Sequence, residues 1–303
     1  MFRIRPAMTG LFLSFLVSIA GCKTSQDAAA AATQMSTTAK GLRDYYAALS
    51  AILTETDALH SLNEQLYSKP YSAENRKELK TTQSELDARV KLAGDLSTFA
   101  DDFAKLSGAT APADVAAAGN NLETEVDSLA SYKASTGEQT AVKAALQVLV
   151  TAIQERKERE AAQGMDSLAS GLSSLFDKEA PAWNSVDSVY LQLAATLARD
   201  LSNDNAVDYS PLLKPALDPF GLTPLASSAN LNAKLAPLVE QQIAARLAEQ
   251  SSSYSKATDA MSKSLQEMSQ RIHLVAADKP MAFRAAPITV ATVEQWATQA
   301  ASY

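Results

Sequence analysis

The residues that could carry chemistry in this chain are few and poorly grouped. Cys22 is the only cysteine. Without a second one no intramolecular disulfide forms, and a lone thiol in an oxidising compartment invites mispairing. His60 and His273 are the only histidines. A metal or proton-transfer role would need partners at defined spacing, and neither stands in an H-E-x-x-H or similar pattern. Each falls near the C-terminal end of an expected helix, where a cation is mildly stabilising. Both therefore read as surface or cap residues, unless two helix ends bring them together. Asp101 and Asp102 are adjacent, so a helix turns them about 100° apart and they do not converge as an acid–base pair. Glu155, Glu158 and Glu160 read as a solvated face. "SNDNAVD", Ser202 to Asp208, is rich in oxygen ligands but lacks the Gly and Glu of a calcium loop. It reads as a loop that ends a helix. No Ser stands in a G-x-S-x-G turn, and no Gly-rich phosphate cradle occurs. The reading assigns no catalytic residue, no metal ligand and no cofactor.

Cys22 gains meaning from what precedes it. The chain opens "MFRIRPAMTGLFLSFLVSIAGC". Arg3 and Arg5 make a positive start, an apolar core runs from Ala7 to Ile19, and the small residues Ala20 and Gly21 close it. These are the parts of an export signal, and the core falls short of the roughly 20 apolar residues that a membrane span needs. Ile19-Ala20-Gly21-Cys22 resembles the lipobox of bacterial lipoproteins. The resemblance implies a diacylglycerol on the Cys22 sulfur and cleavage after Gly21. It also implies a further fatty acyl chain, palmitate being typical, on the new amino group. Lys23 stands where an Asp would favour inner-membrane retention, so the resemblance points to the outer membrane with the body in the periplasm.

Loss of residues 1–21 leaves 282 residues and removes Arg3 and Arg5 from 27 basic residues, against 34 acidic ones. The mature net charge is then −9. That balance argues against nucleic acid or anionic head groups as the main partner, since both need basic patches. Ala is abundant, and Gly (10) and aromatic residues (6%) are scarce, which favours helix over sheet.

The elements follow from apolar periodicity. Residues 22–38, rich in Ala, Ser and Thr, read as a lipidated tether leading into a helix. A helical bundle domain is expected over 39–303. Leu42, Tyr45, Tyr46, Leu49, Ile52, Leu53, Leu59 and Leu66 mark a helix from Thr38 to Tyr67. Lys69-Pro70 ends it, and Ser72 is a candidate N-cap for a second helix, Ala73 to Leu106. A weaker helix is expected from Ala113 to Ala134. "TGEQ", Thr136 to Gln139, has capping-box spacing and opens a long helix through Leu175. The polar stretch "QERKERE" within it means either a protrusion or a turn of the chain. Pro181 is expected to start the next helix, ending at Leu201. Segment 203–230 holds four prolines but also Leu212, Leu213, Leu217, Phe220, Leu222 and Leu225. It is expected to be irregular, ordered and packed on the bundle. A last long helix spans Leu231 to Ala277, followed by an extended piece through Pro280 and Pro287 and a short helix from Val290 to Ala301.

The expectation is an all-α, elongated up-and-down helical bundle with coiled-coil-like packing. Its function would be non-catalytic binding or scaffolding from the envelope, held to the membrane through Cys22, with envelope proteins as partners. The rival is a ligand-binding domain or enzyme with a site dispersed between helices. A third reading, membrane insertion, has no apolar run after residue 21 long enough to support it. Residues 206–229 are the one stretch that reads as a candidate partner surface, against the plainer role of covering the end of the core.

Overall fold

The computed structural model describes residues 9–105, 117, 119–121, 123–124, 136–154, 158–223, 229–277 and 287–301, without the side chains of 9–28, 105, 136, 138–139, 153–154, 158–159 and 229–231. Gly21 and Cys22 fall within the first helix, and their side chains lie outside the described part. The expected extended piece through Pro280 also lies outside it, as do Leu225 and the polar residues 155–157.

The chain is an all-α bundle. Its helices are α1 (Thr9–Tyr67), α2 (Ala73–Lys105), α3 (Thr136–Gln154), α4 (Glu158–Asn203), α5 (Ser210–Leu217), α6 (Ala229–Ala276) and α7 (Ala291–Ala300). A 3-10 turn, Asp218–Phe220, follows α5. Ala117, Gly119–Asn121, Glu123 and Thr124 are helical within the expected weaker helix.

Cross-helix pairs fix the directions. Ser36 meets Ser97, and Ser50 donates to Asp87, so α1 and α2 form an antiparallel hairpin. Its turn begins at Ser68, whose φ of 52° ends α1. Ser72 caps α2: the Asn75 backbone N–H donates to its Oγ at 3.1 Å. Gly164 lies against Leu149 and Gly171 against Val142, so α3 and α4 are a second antiparallel hairpin. The chain therefore turns at "QERKERE". A Cβ on Gly164 would come within 2.9 Å of the Leu149 Cα, which is why the residue there has none. His273–Asp166, Ser262–Asp177 and Arg199–Glu240 hold α6 antiparallel to α4 in one register from end to end. Tyr45–Phe176 and Lys69–Asp200 keep α4 parallel to α1.

Two expectations about boundaries are corrected. The residues expected to be tether are folded: Ala31, Ala32, Met35, Ser36 and Thr38 are buried, and Ala31, Ala32 and Met35 belong to the core. Small side chains let α1 and α2 approach closely there, as the 3.1 Å contact between the Ser36 and Ser97 hydroxyls shows. The Thr33, Thr37 and Thr38 hydroxyls donate to carbonyls four residues back, so their polarity is satisfied inside the helix. Pro181 lies inside α4 rather than at its start. An interior proline costs about 3 kcal/mol of helix propensity. Glu179 and Trp183 on either side of it are 0% and 1% exposed, and their packing holds the helix together.

The core is widest at one end. There α1, α4, α6 and α7 meet around Tyr45, whose ring lies 5.3 Å from both Phe176 and Trp296 and 6.2 Å from Tyr254, with α2 packed on α1 and α3 on α4. The Tyr45 hydroxyl donates to Tyr254 at 3.0 Å and pairs with Thr258. Burial and the neighbouring Tyr254 hold the Tyr45 phenol well above its ordinary pKa, so it stays protonated. Gly41 makes room for Val290 at the entry to α7. The other end, formed by the last turns of α1, the first of α2, the end of α4 and the start of α6, is thin.

Candidate functional site

The expected site residues do not converge. His60 sits near the end of α1 and His273 near the end of α6. Because those helices run in opposite directions, the two histidines stand at opposite ends of the bundle. The His60 ring stacks on Tyr71 at 3.7 Å, and Arg76 lies 5.8 Å over the other partner in that stack, Tyr71. Burial lowers the His60 pKa, Asp57 opposes that and Arg76 adds to it. His273 Nδ1 pairs with Asp166 at 2.9 Å on an exposed surface. Asp101 pairs with Lys40 at 3.5 Å. In the loop after α4, Ser202 bonds Tyr209, Asn205 pairs with Asn232, and the Ser210 hydroxyl donates to Asp208. Its oxygens are spent on one another's segments. No group of His, Cys, Asp and Glu that could hold a metal occurs among the described residues.

A cavity of about 530 Å³ opens on the outer face of α2, lined by Arg76, Lys77, Lys80, Thr81, Ser84 and Glu85. All of these described residues lie on one helix. Arg76 is engaged by Glu64 across the hairpin. The groove sets the positive charge of Arg76, Lys77 and Lys80 beside Glu85.

Two charged features lie inside the core, and the sequence reading named neither. Arg89 and Glu179 are 2% and 0% exposed. The Arg89 Nε and Nη2 each donate to a Glu179 oxygen at 2.7 Å, and Nη1 donates to the Glu85 carbonyl at 2.8 Å. The guanidinium lies 4.9 Å from the Trp183 ring centre. The fork geometry and the extra bond to the Glu85 carbonyl satisfy both ions away from water. Their separation of 90 residues left no spacing signal in the sequence. The second feature is Asp187, 2% exposed. Its Oδ1 accepts no hydrogen bond from the described residues. Burial raises its pKa to about 6.

The surface is uneven in apolar content. The described part of segment 203–230 does not pack on the bundle as expected: Tyr209, 1% exposed, is the one buried residue among those described there. No residue of α5 or of the following turn is buried. Phe220 is 77% and Leu222 57% exposed. Pro211 opens α5, and Gly221, at φ 66°, ends the 3-10 turn that follows it. Leu62, Leu66, Val189 and Leu238 are also exposed, all toward the thin end, and Val148 is the exposed counterpart at the wide end. No helix among the described residues is long and apolar enough to cross a membrane.

No protein-family model, curated protein or solved structure matches this chain.

Proposed function

We propose that the chain is a lipid-anchored envelope protein that binds or scaffolds envelope partners and performs no catalysis. The observation that carries this reading is Ile19-Ala20-Gly21-Cys22 closing an export signal. On this reading residues 1–21 are removed and acyl chains on Cys22 hold the protein. One chain binds marginally, at about 0.8 kcal/mol per buried CH₂, whereas two or three hold firmly. Lys23 favours the outer membrane, with the body in the periplasm.

The course of α1 supports a particular posture. The helix spans Cys22 and enters the core at Ala31, about 13 Å further on at about 1.5 Å per residue. A helix, not a flexible tether, then joins lipid to body. The wide end stands on the membrane, and Tyr67 stands about 68 Å from Cys22 along the helix. The anchor also concentrates the body at one surface, which raises the effective concentration for partners there. The rival reading, a site dispersed between helices, is weakened because the α2 cavity is lined by a single helix.

Intact-mass spectrometry of the protein from its native membrane, beside a Cys22→Ala version, tests the reading. The expected mass is that of the chain from Cys22 plus a diacylglyceryl group and an acyl chain, with the modification absent from the variant. An unmodified chain cut elsewhere would overturn it.

A further inference from the structure

Asp187 stands where the two ends of the bundle join. On its wide-end side lie Trp183 and the aromatic cluster, with Tyr45, Phe176 and Tyr254. On the other side α4 continues with Tyr190, Leu191 and Leu197, and the matching stretches of α1 and α6 become half exposed. The register of α1 on α4 places Asp187 level with Thr56, itself 2% exposed. The Thr56 hydroxyl is already donated to the Ile52 carbonyl at 2.7 Å. A carboxyl enclosed in this way, with Oδ1 accepting no hydrogen bond, is tolerated when neutral and costly when charged.

We propose that Asp187 is a pH-responsive latch: uncharged, it lets the thin end of the bundle close on the wide end, and charged, it loosens that end. The titratable groups facing it are Tyr190 on its own helix and Tyr254 on α6, while Glu55 of α1 acts on Tyr190. Burial raises both phenols, and the Asp187 charge raises them further. They therefore stay neutral and supply no countercharge. Burial is the cause of the shift at Asp187 itself. A group whose folded pKa is raised contributes a constraint that holds at low pH and is lost as pH rises through the folded value.

Hydrogen exchange of the mature protein at pH 5 and pH 7.5, with labelling times scaled for intrinsic exchange, reads the latch by region. In the wild type, peptides covering 186–202 and 233–250 lose protection on going to pH 7.5, by up to about tenfold, since about half of the effect of a shift of about two pKa units is already lost by pH 5. Peptides covering 161–176 keep theirs. In Asp187→Asn the loss disappears, because the amide does not ionise. The same pH dependence in the variant, or an equal loss at both ends of the wild type, would overturn the proposal. A carboxyl-carbon NMR titration of the wild type checks it without a variant: a midpoint near 6 is expected, and a midpoint near 4 would overturn it.

Discussion

The wide and thin ends of this bundle are built from the same helices, yet they differ in what holds them. At the wide end, α1, α4, α6 and α7 enclose an aromatic cluster, α2 and α3 pack outside them, and the buried Arg89 and Glu179 bond each other through two hydrogen bonds. At the thin end, α1, α2, α4 and α6 make the long walls among the described residues, and no residue of α5 is buried. Exposed large apolar side chains gather there rather than at the wide end. The difference follows from sequence. Where α1 carries Ala31, Ala32, Met35 and Tyr45 it is enclosed on several sides. Where it carries Leu62 and Leu66 it has too few neighbours to be enclosed. Length alone does not give a helix a core; the number of helices at that level does.

Substitutions should separate the two ends, beginning with the largest effect. Glu179→Ala leaves the Arg89 charge buried and unpaired, and should destabilise the mature protein by about 3–5 kcal/mol in urea titration. An effect below about 1 kcal/mol would mean that water reaches the pair, and that the wide end is not closed.

The junction should respond to pH with a definite sign. Asp187 binds its proton more tightly when folded, with a pKa of about 6 against about 3.9 unfolded. The stability present below about pH 4 is therefore lost as pH rises through 6, by on the order of 2–3 kcal/mol. Asp187→Asn should exceed the wild type in stability at pH 7.5, and the two should converge at pH 4. Parallel curves for the two proteins would contradict this.

Gly164→Ala should cost about 1–3 kcal/mol, because its Cβ meets the Leu149 backbone, which yields less readily than a side chain. The loss should appear as weaker exchange protection in α3 and the first half of α4. Phe220→Ala, at the opposite extreme, should change stability by less than about 0.5 kcal/mol, since the ring is 77% exposed. A larger loss on thermal unfolding would show that the α5 arm packs after all.

The large apolar stripes were legible in the sequence. Leu42, Tyr45, Leu49 and Ile52 predict α1, and Met261, Leu265, Met268 and Ile272 predict α6, and all of them are buried. The all-α class and the cap at Ser72 follow from the same signals. Residues 31–38 were illegible because Ala, Ser and Thr carry little apolar area, yet they pack well where two helices approach closely. Pro181 misled because a local preference was outweighed by the burial of its neighbours. The described part of segment 203–230 misled in the other direction: its leucines suggested packing, yet Leu212, Leu213, Leu217 and Leu222 are not buried. The buried charges were invisible for a different reason. Arg89 and Glu179 lie on helices that meet only in three dimensions, and Asp187 looks like any surface residue until the register of α1, α4 and α6 is known.

The proposed lipid anchor at Cys22, and the posture on a membrane that it would impose, are open to a direct check. Neutron reflectometry of the purified lipidated protein in a supported bilayer reads protein density against distance from the head groups. The account predicts a protein layer that begins at the head groups, without a gap, and reaches about 70 Å, the length of α1 beyond Cys22. A depleted zone between bilayer and body, or a layer only one helix bundle thick, would show that Cys22 is joined to the body by a flexible tether.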